Sequence, residues 1–534
     1  ASADHDARRV ASRRAALVAQ MQSLARAVAR RVPARAQIAA EEADVVLETG
    51  DGSRLRIGPG KLSLTHPPDR VALEVTPAAG AEQALGLRVG VPLGASDART
   101  IDAKLDGGPI ALNLHGEEVV SGDMRLRTSL QLSIPLSTKK PIHLEGSGSI
   151  RGLQLTHPRI ADQTLAFPEV AWKGPVDLDT ERFRADFRRL ELNLGDARAV
   201  LNGHIALPRD APFDVDVEFE IPIVTCQQAF DAIPQGMTPS LDGAKFEGSI
   251  HAQGHARFTL DSRLPDAKRL EGYSMGWTGD LSCRASHMPA PVRRERFRKP
   301  FDKLVYSPER VEKTMTFGPT TPQWTPLGSI SRFMVASVLT TEDGRFFRHS
   351  GFDQEAIVNS IEANLRAGRF VRGASTISMQ LAKNLYLPRT KTISRKLEEA
   401  ILTIYLEQTM TKEEMMEMYL NIIEYGPMVY GIGPAARHYF RKSAGRLSLG
   451  QAMYLASILP SPNVHHFGAG GAVNARYMSR LHAYMKVTHK IGRISDEELE
   501  EGLRETAVLG QPAPLVTRPL DESNPYEEAV DPAP

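Results

Sequence analysis

Thr341-Glu342-Asp343-Gly344-Arg345-Phe346-Phe347-Arg348-His349-Ser350-Gly351 places two adjacent carboxylates just after an apolar helical run, Phe333 to Leu339. Two aromatics and a histidine come next. A carboxylate at the end of an apolar helix and beside phenylalanines loses hydration, so its pKa rises and it becomes a better proton acceptor. Glu342 is therefore the candidate general base. Asp343 beside it would resist sharing the negative charge and push that pKa further up. A Glu-Asp pair at a helix end, taken alone, is commonly a surface cap, so its meaning depends on the residues downstream.

Downstream lies a set of cations. Lys383, Lys391, Arg395 and Lys396 fall within 14 residues of one another, in sequence suited to binding phosphate oxygens. Ahead of them, Gly373, Ser375 and Thr376 supply glycine and hydroxyls at a predicted helix start, where backbone N–H groups face an anion. Arg395 and Glu399 are one helical turn apart and share a face. In isolation that spacing describes an ordinary surface ion pair.

Read in order, these segments resemble the peptidoglycan glycosyltransferases, the family that includes the glycan-polymerising half of class A penicillin-binding proteins and the monofunctional transglycosylases. The pattern E-D-x-x-F-x-x-H-x-G is met by Glu342, Asp343, Phe346, His349 and Gly351. The second motif is met by Gly373, Ser375, Thr376, Gln380, Lys383 and Asn384, and R-K-x-x-E by Arg395, Lys396 and Glu399. Met418 to Gly426, containing Tyr419-Leu420-Asn421, and Ala456 to Asn463 match the fourth and fifth. Gly431 to Phe440 looks more like the monofunctional enzymes than the bifunctional ones. One departure is Met379, where many members carry a glutamine; a thioether cannot donate a hydrogen bond, so a polar contact to substrate is expected to be missing.

The resemblance covers roughly residues 325–470. It implies polymerisation of the lipid-linked disaccharide-pentapeptide precursor, lipid II, onto a growing glycan strand, with release of undecaprenyl pyrophosphate. Glu342 and Glu399 would be the catalytic carboxylates. Asp343, Phe346, His349, Gly373, Ser375, Thr376, Gln380, Lys383, Asn384, Lys391, Arg395, Lys396 and Asn421 would line the substrate site. Glu399 would orient the diphosphate or hold Mg2+ or Mn2+; no organic cofactor is implied. Residues 358–372, with Gly368 and Gly373 near their end, would form a mobile lid. Ser137-Thr138-Lys139-Lys140 fits S-x-x-K but has no S-x-N or K-T-G partner, so transpeptidase activity is not expected. Partners would be lipid II, the glycan strand, membrane lipids and other wall-synthesis proteins, at the periplasmic face of a bacterial inner membrane with an anchor upstream of residue 1. The alternatives are a lysozyme-like glycan hydrolase, since two carboxylates also suit hydrolysis, and a non-catalytic envelope scaffold or lipid-handling protein.

Outside this region the chain changes character. Its 534 residues exceed one ordinary core. With 42% apolar and 24% charged residues it has a globular composition, and a net charge of +1 offers nucleic acid no overall attraction. Residues 7–32 within the stretch 1–42 read as an arginine-rich helix with apolar positions at Val10, Leu17, Met21, Leu24 and Val28, stopped by Pro33. That helix suits either an anionic membrane surface or a neighbouring domain. From 43 to 290 the apolar period becomes 2, as in Phe213 to Ile223 and Met124 to Leu136, with glycine and proline turns such as Gly50 to Gly52 between the runs.

Leu62 to Pro67 recurs as Leu153 to Pro158, which points to a duplicated strand unit in which His66 and His157 are turn residues. In its strand rhythm this half resembles the β-groove portion of AsmA-type envelope proteins. Cys226 and Cys283 read either as two buried thiols or as a disulfide, the latter favoured by an oxidising compartment. Residues 291–327 read as a basic, aromatic and proline-rich linker, 328–508 as the glycosyltransferase domain, and 509–534 as an acidic disordered tail. The expected fold class is multidomain α+β: an extended antiparallel β-rich domain followed by a mainly α-helical, lysozyme-like glycosyltransferase domain.

Overall fold

The computed structural model describes residues 2–48, 54–78, 84–94, 96, 99–111, 119–208, 211–306, 311–464, 466–467 and 471–505. The expected turn at 50–52 and the tail at 509–534 lie outside them. The chain divides into two units. One comprises residues up to 239, 245–286 and 365–368; the other comprises 240–244, 287–364 and 369 onward.

Among the described residues, fourteen strands of the first unit form one antiparallel sheet, from Gln37–Glu48 to Leu270–Leu281, with strands successive in sequence mostly adjacent in space. The alternation seen in the sequence sets the register. Phe213, Val215 and Val217 stand opposite Leu260, Phe258 and Ala256, and Asp216 opposite Arg257. Apolar side chains thus share one face while Arg257 pairs with Asp216 at 2.9 Å on the other. Short Leu165–Ala166 pairs with Ile142–Leu155, and Lys245–Glu247 leaves the sheet to pair with Arg284–His287.

The basic helix α1 (Ser2–Arg31) packs on this sheet. Val18 and Ala25 are buried with Val71, Val91 and Ile101, and Met21 and Val28 pack beside them. Leu17 and Leu24, expected in the apolar stripe, are 48% and 66% exposed. Met21 and Val28 pack as expected, while Val18 and Ala25, one position further on, take the places expected of Leu17 and Leu24. Arg14 sits on the buried side. Its Nη2 donates to the carbonyls of Pro135, Ser137 and Lys140 at 3.2, 3.1 and 2.9 Å, and its Nη1 to Thr138 O and Thr180 Oγ1. Ser137 to Lys140 is therefore a turn whose carbonyls receive a guanidinium. His66 closes the helix end by donating from Nδ1 to Val32 O at 2.7 Å. His157 accepts from Arg159 N in its own turn. Two short helices, α2 (Cys226–Asp231) and α3 (Asp266–Arg269), complete this unit. Cys226 and Cys283 are disulfide-bonded, which decides between the two readings left open by the sequence.

The second unit contains helices α4 (Arg332–Thr341), α5 (Gln354–Ala367, whose last three residues belong to the first unit), α6 (Ile377–Tyr386), α7 (Ile393–Thr409), α8 (Lys412–Ile422), α9 (Ile432–Phe440), α10 (Leu449–Ser457), α11 (Ala475–Lys490) and α12 (Asp496–Arg504). The starts are set by hydroxyl caps: Thr376, Thr392, Thr411 and Ser448 each accept the backbone N–H of the third helical residue. At Thr411 the expected capping box with Glu414 forms. Helix α4 packs against α10 and α11, and α6 against α7 and α8.

The stretch 291–327 is not an open linker. It folds into one-turn helices at Ala290–Val292 and Arg294–Arg298 and a hairpin, Phe301–Tyr306 with Glu312–Phe317. Phe297, Phe301 and Phe317 are buried, and Phe297 packs edge-on to Tyr386 at 5.3 Å. These three phenylalanines pack inside this unit, Phe297 also edge to face with Phe301, rather than along an open connector.

Candidate active site

Glu342 is the C-cap of α4 and its N–H bonds to Val338 O at 2.9 Å. The residue as a whole is only half-buried, yet Oε1 is closed to solvent and has no hydrogen-bond partner. Oε2 accepts from Gln380 Nε2 at 2.9 Å. Burial raises the pKa of this carboxyl; the Gln380 bond and the nearby positive charge of Lys383 pull it down, and Asp343 pushes it up.

Gln380 is itself oriented. Tyr419, fully buried on α8, donates its hydroxyl to Gln380 Oε1 at 3.0 Å. Burial, with Glu342 nearby, holds that phenol far above its ordinary range, so it remains a donor. A chain of two hydrogen bonds therefore runs from α8 through α6 to the carboxylate at the end of α4. Tyr419 was legible only as part of an architectural motif; nothing local in the sequence marks its hydroxyl.

Asp343 and His349 serve the frame. Asp343 Oδ2 accepts from Ile377 N at 3.0 Å, at the first turn of α6, and His349 Nε2 reaches it at 3.0 Å. Gly351 N donates to His349 Nδ1, so the ring carries its proton on Nε2 and donates to Asp343. Phe346 is fully buried, with Lys412 Nζ 4.4 Å from its ring centre. Thr376 caps α6 and donates to Gly351 O at 2.6 Å. Gly351 itself has φ +99°, and a Cβ there would meet Thr403 Cγ2 at 2.9 Å. Asn421, placed among the substrate contacts by resemblance, is buried: its amide accepts from Thr325 N and donates to the Thr325 and Glu417 carbonyls. It ties that segment to α8. Asn384 turns back to Gln380 O at 2.8 Å. Met379 is buried, where a thioether needs no hydrogen-bond partner and a glutamine would.

The cations gather on α6 and α7. Glu399, 2% exposed, accepts from Arg395 Nη1 at Oε2 (2.9 Å) and from Lys396 Nζ at Oε1 (2.5 Å). Lys396 also donates to Ser375 Oγ at 3.2 Å. The Arg395 Nε is buried and unpartnered. Lys383, among the described residues, makes no ion pair. Burial lowers its pKa, Glu399 and Glu342 raise it, and Arg395 and Lys396 lower it, so both carboxylates and all three cations share one field. Lys391 and Gly373 are exposed. A divalent ion held by Glu399 is poorly served, since both carboxylate oxygens are taken by cations and no cluster of three acidic, histidine or cysteine groups occurs among the described residues.

In the expected lid, Asn364 Oδ1 accepts from Val371 N and Arg372 N at 2.7 and 2.9 Å, and Ser360 donates to Arg372 O. The segment after α5 is thus folded back on that helix. Glu407, which no sequence motif marks, ties Ser378 to Lys412.

The family profile described as Transglycosylase matches residues 310–485. A biosynthetic peptidoglycan transglycosylase of Laribacter hongkongensis is 48% identical over 143 residues, 27% of this chain and 63% of that protein. The protein of the same name from Chromobacterium violaceum is 44% identical over 168 residues, 31% of this chain and 74% of its own length. A third, from Methylobacillus flagellatus, is 43% identical over 168 residues and is covered over 73% of its length. With the matched span containing Glu342, Gln380, Lys383, Arg395, Glu399 and Tyr419, the chain belongs to the transglycosylase family.

Proposed function

We propose that this chain is a peptidoglycan glycosyltransferase that polymerises lipid II at the bacterial envelope, its helical unit being of the lysozyme-like kind. The observation that carries the reading is Glu342: a desolvated carboxylate, one oxygen held by Gln380 and the other unpartnered, in the electrostatic field of Lys383. The Glu342 carboxylate would deprotonate the acceptor's 4-hydroxyl as the oxygen attacks the anomeric carbon of the growing strand, with Oε1, which has no hydrogen-bond partner, taking the proton once the acceptor is brought against it. As the new glycosidic bond forms, the bond from the anomeric carbon to the pyrophosphate oxygen breaks, undecaprenyl pyrophosphate leaves with the electron pair, and Lys383 with Arg395 and Lys396 receives its charge. Glu399 keeps Arg395 and Lys396 close together. Mg2+ or Mn2+, when bound, would draw its ligands mainly from the diphosphate, since both Glu399 oxygens are held by cations.

Hydrolysis of finished glycan uses two carboxylates but gives a clustered set of cations nothing to bind, which favours transfer. The test is incubation of the purified protein with labelled lipid II, comparing wild type with Glu342→Gln. Polymer from the wild type alone is expected. Polymer from both, or from neither, or glycan fragments in place of polymer, would overturn the reading.

A further inference from the structure

Beside Glu399 lies a second buried carboxylate that the transfer reaction does not use. Glu398 is 4% exposed, and no ion pair reaches it among the described residues. Its partners both come from Ser240, whose main-chain N–H and hydroxyl donate to Glu398 Oε1 at 2.7 and 2.5 Å. Ser240 belongs to a five-residue piece, Ser240–Ala244, that is part of the helical unit although the sequence on either side of it is not. The piece is well seated: Leu241 and Ala244 are buried, Ala244 N closes a turn on Leu241 O at 2.9 Å, and Gly243 takes φ +81°. It lies far outside the span 310–485 that matches the family profile.

The two ends of α7 are held differently. Its C-terminal half is fixed by fully buried Leu402 and Leu406 and by Glu407, which bonds Ser378 and Lys412. Its N-terminal half carries the cation cluster, with Ile393 57% exposed and Lys396 exposed. There the Ser240–Glu398 pair is a polar tie independent of the cluster. Glu398 and Glu399 are consecutive, so their side chains diverge by about 100° around the axis. Fixing one sets the azimuth of the other. With side chains reaching about 5–6 Å from the axis, a roll of ~10° moves a head group by about 1 Å. A displacement of that size can cost up to about 100-fold in rate.

We propose that Ser240 is a positioning residue for the transfer reaction: through Glu398 it fixes the roll of α7 and thereby the placement of Arg395, Lys396 and Glu399 against the departing diphosphate. This rests on the function proposed above.

The test uses the full chain with Ser240→Ala, Ser240→Thr and Glu398→Leu, the last removing the tie while leaving an apolar side chain of similar size. Polymerisation of lipid II is measured below the melting temperature, together with its inhibition by inorganic pyrophosphate. For Glu398→Leu, kcat and kcat/KM should fall together by about tenfold. Pyrophosphate inhibition should weaken by a similar factor, with Tm shifted by only a few degrees, because the apolar replacement avoids burying a charge while leaving the Ser240 donors without their acceptor. Ser240→Ala, which keeps the main-chain N–H bond, should show a smaller loss of the same kind, and Ser240→Thr should restore the wild-type rate. If Glu398→Leu does not fold, the Ser240 pair carries the comparison. Wild-type kcat and pyrophosphate inhibition in both Ser240→Ala and a folded Glu398→Leu would overturn the proposal, as would activity lost only in step with Tm. An inactive wild type, by contrast, sinks the transfer reading and this inference with it.

Discussion

Gln380 Nε2 lies 2.9 Å from Glu342 Oε2 and is turned that way by the Tyr419 hydroxyl, 3.0 Å from the other end of the same amide. The amide favours the charged form of Glu342, against the burial that disfavours it. The base is thus fixed in direction and kept from losing its charge entirely to burial.

Glu342→Gln should abolish polymer formation yet stabilise the fold. A carboxyl raised in the folded state above its ordinary value of about 4.3 holds more protons folded than unfolded over the window between the two pKa values, so stability falls as pH rises through it. The neutral amide escapes that loss. Thermal melts at pH 7–8 should place the variant higher by about 1 kcal/mol, or roughly 2–4 °C. The advantage should shrink on acidification toward the unfolded value.

Removing the amide should move the acidic limb of the pH–rate profile. In Gln380→Leu the hydrogen bond that lowers the Glu342 pKa is gone, so the limb of kcat/KM shifts to higher pH. Tyr419→Phe keeps the volume and frees the Gln380 amide to rotate. Its kcat should drop by about 3–10-fold, the worth of one buried hydrogen bond, with little change in KM.

Glu399→Gln should be doubly damaging. Glu399 is nearly fully buried and holds two cations, of which Arg395 is itself largely buried. Breaking such a pair leaves uncompensated charge and costs about 3–5 kcal/mol. A clearly lower Tm is expected, along with loss of polymerisation at temperatures where the variant remains folded. Lys383→Met tests the cation that pairs with neither carboxylate. Its kcat should fall by about 100-fold or more, as for loss of a charge-stabilising donor in a dry site.

Arg14→Met should loosen α1 from the sheet unit and leave the enzyme chemistry alone. Burial lowers the pKa of this guanidinium, Glu181 and Asp179 raise it, and five acceptors satisfy it. Losing the donors strands four carbonyls, at about 1–3 kcal/mol for each group that stays buried without water. Hydrogen exchange should show early opening of residues 14–31, while the rate of polymerisation stays at the wild-type level.

Local order was legible in the chain because it depends on near neighbours. Period-2 alternation from Phe213 to Ile223 yields a strand, Thr411 with Glu414 yields a capped helix, and Glu342 after the apolar run of α4 is a desolvated carboxylate. The motif spacing also marked Glu342, Gln380, Lys383, Arg395, Lys396 and Glu399, which the structure brings together, though not the Asn421 it grouped with them. What no window of sequence contains is the pairing of residues far apart. Tyr419 orienting Gln380, Asn421 spent on Thr325, the Phe297 ring buried where a linker was expected, and Ser240 bonded to Glu398 across 158 positions all result from how elements pack. The stripe of α1 that is buried was likewise settled by the sheet it meets, through Val18 and Ala25 and not Leu17 and Leu24. Periodicity and capping are energies within a few residues, whereas a buried hydrogen bond takes its partner from whatever the closed core brings within 3 Å.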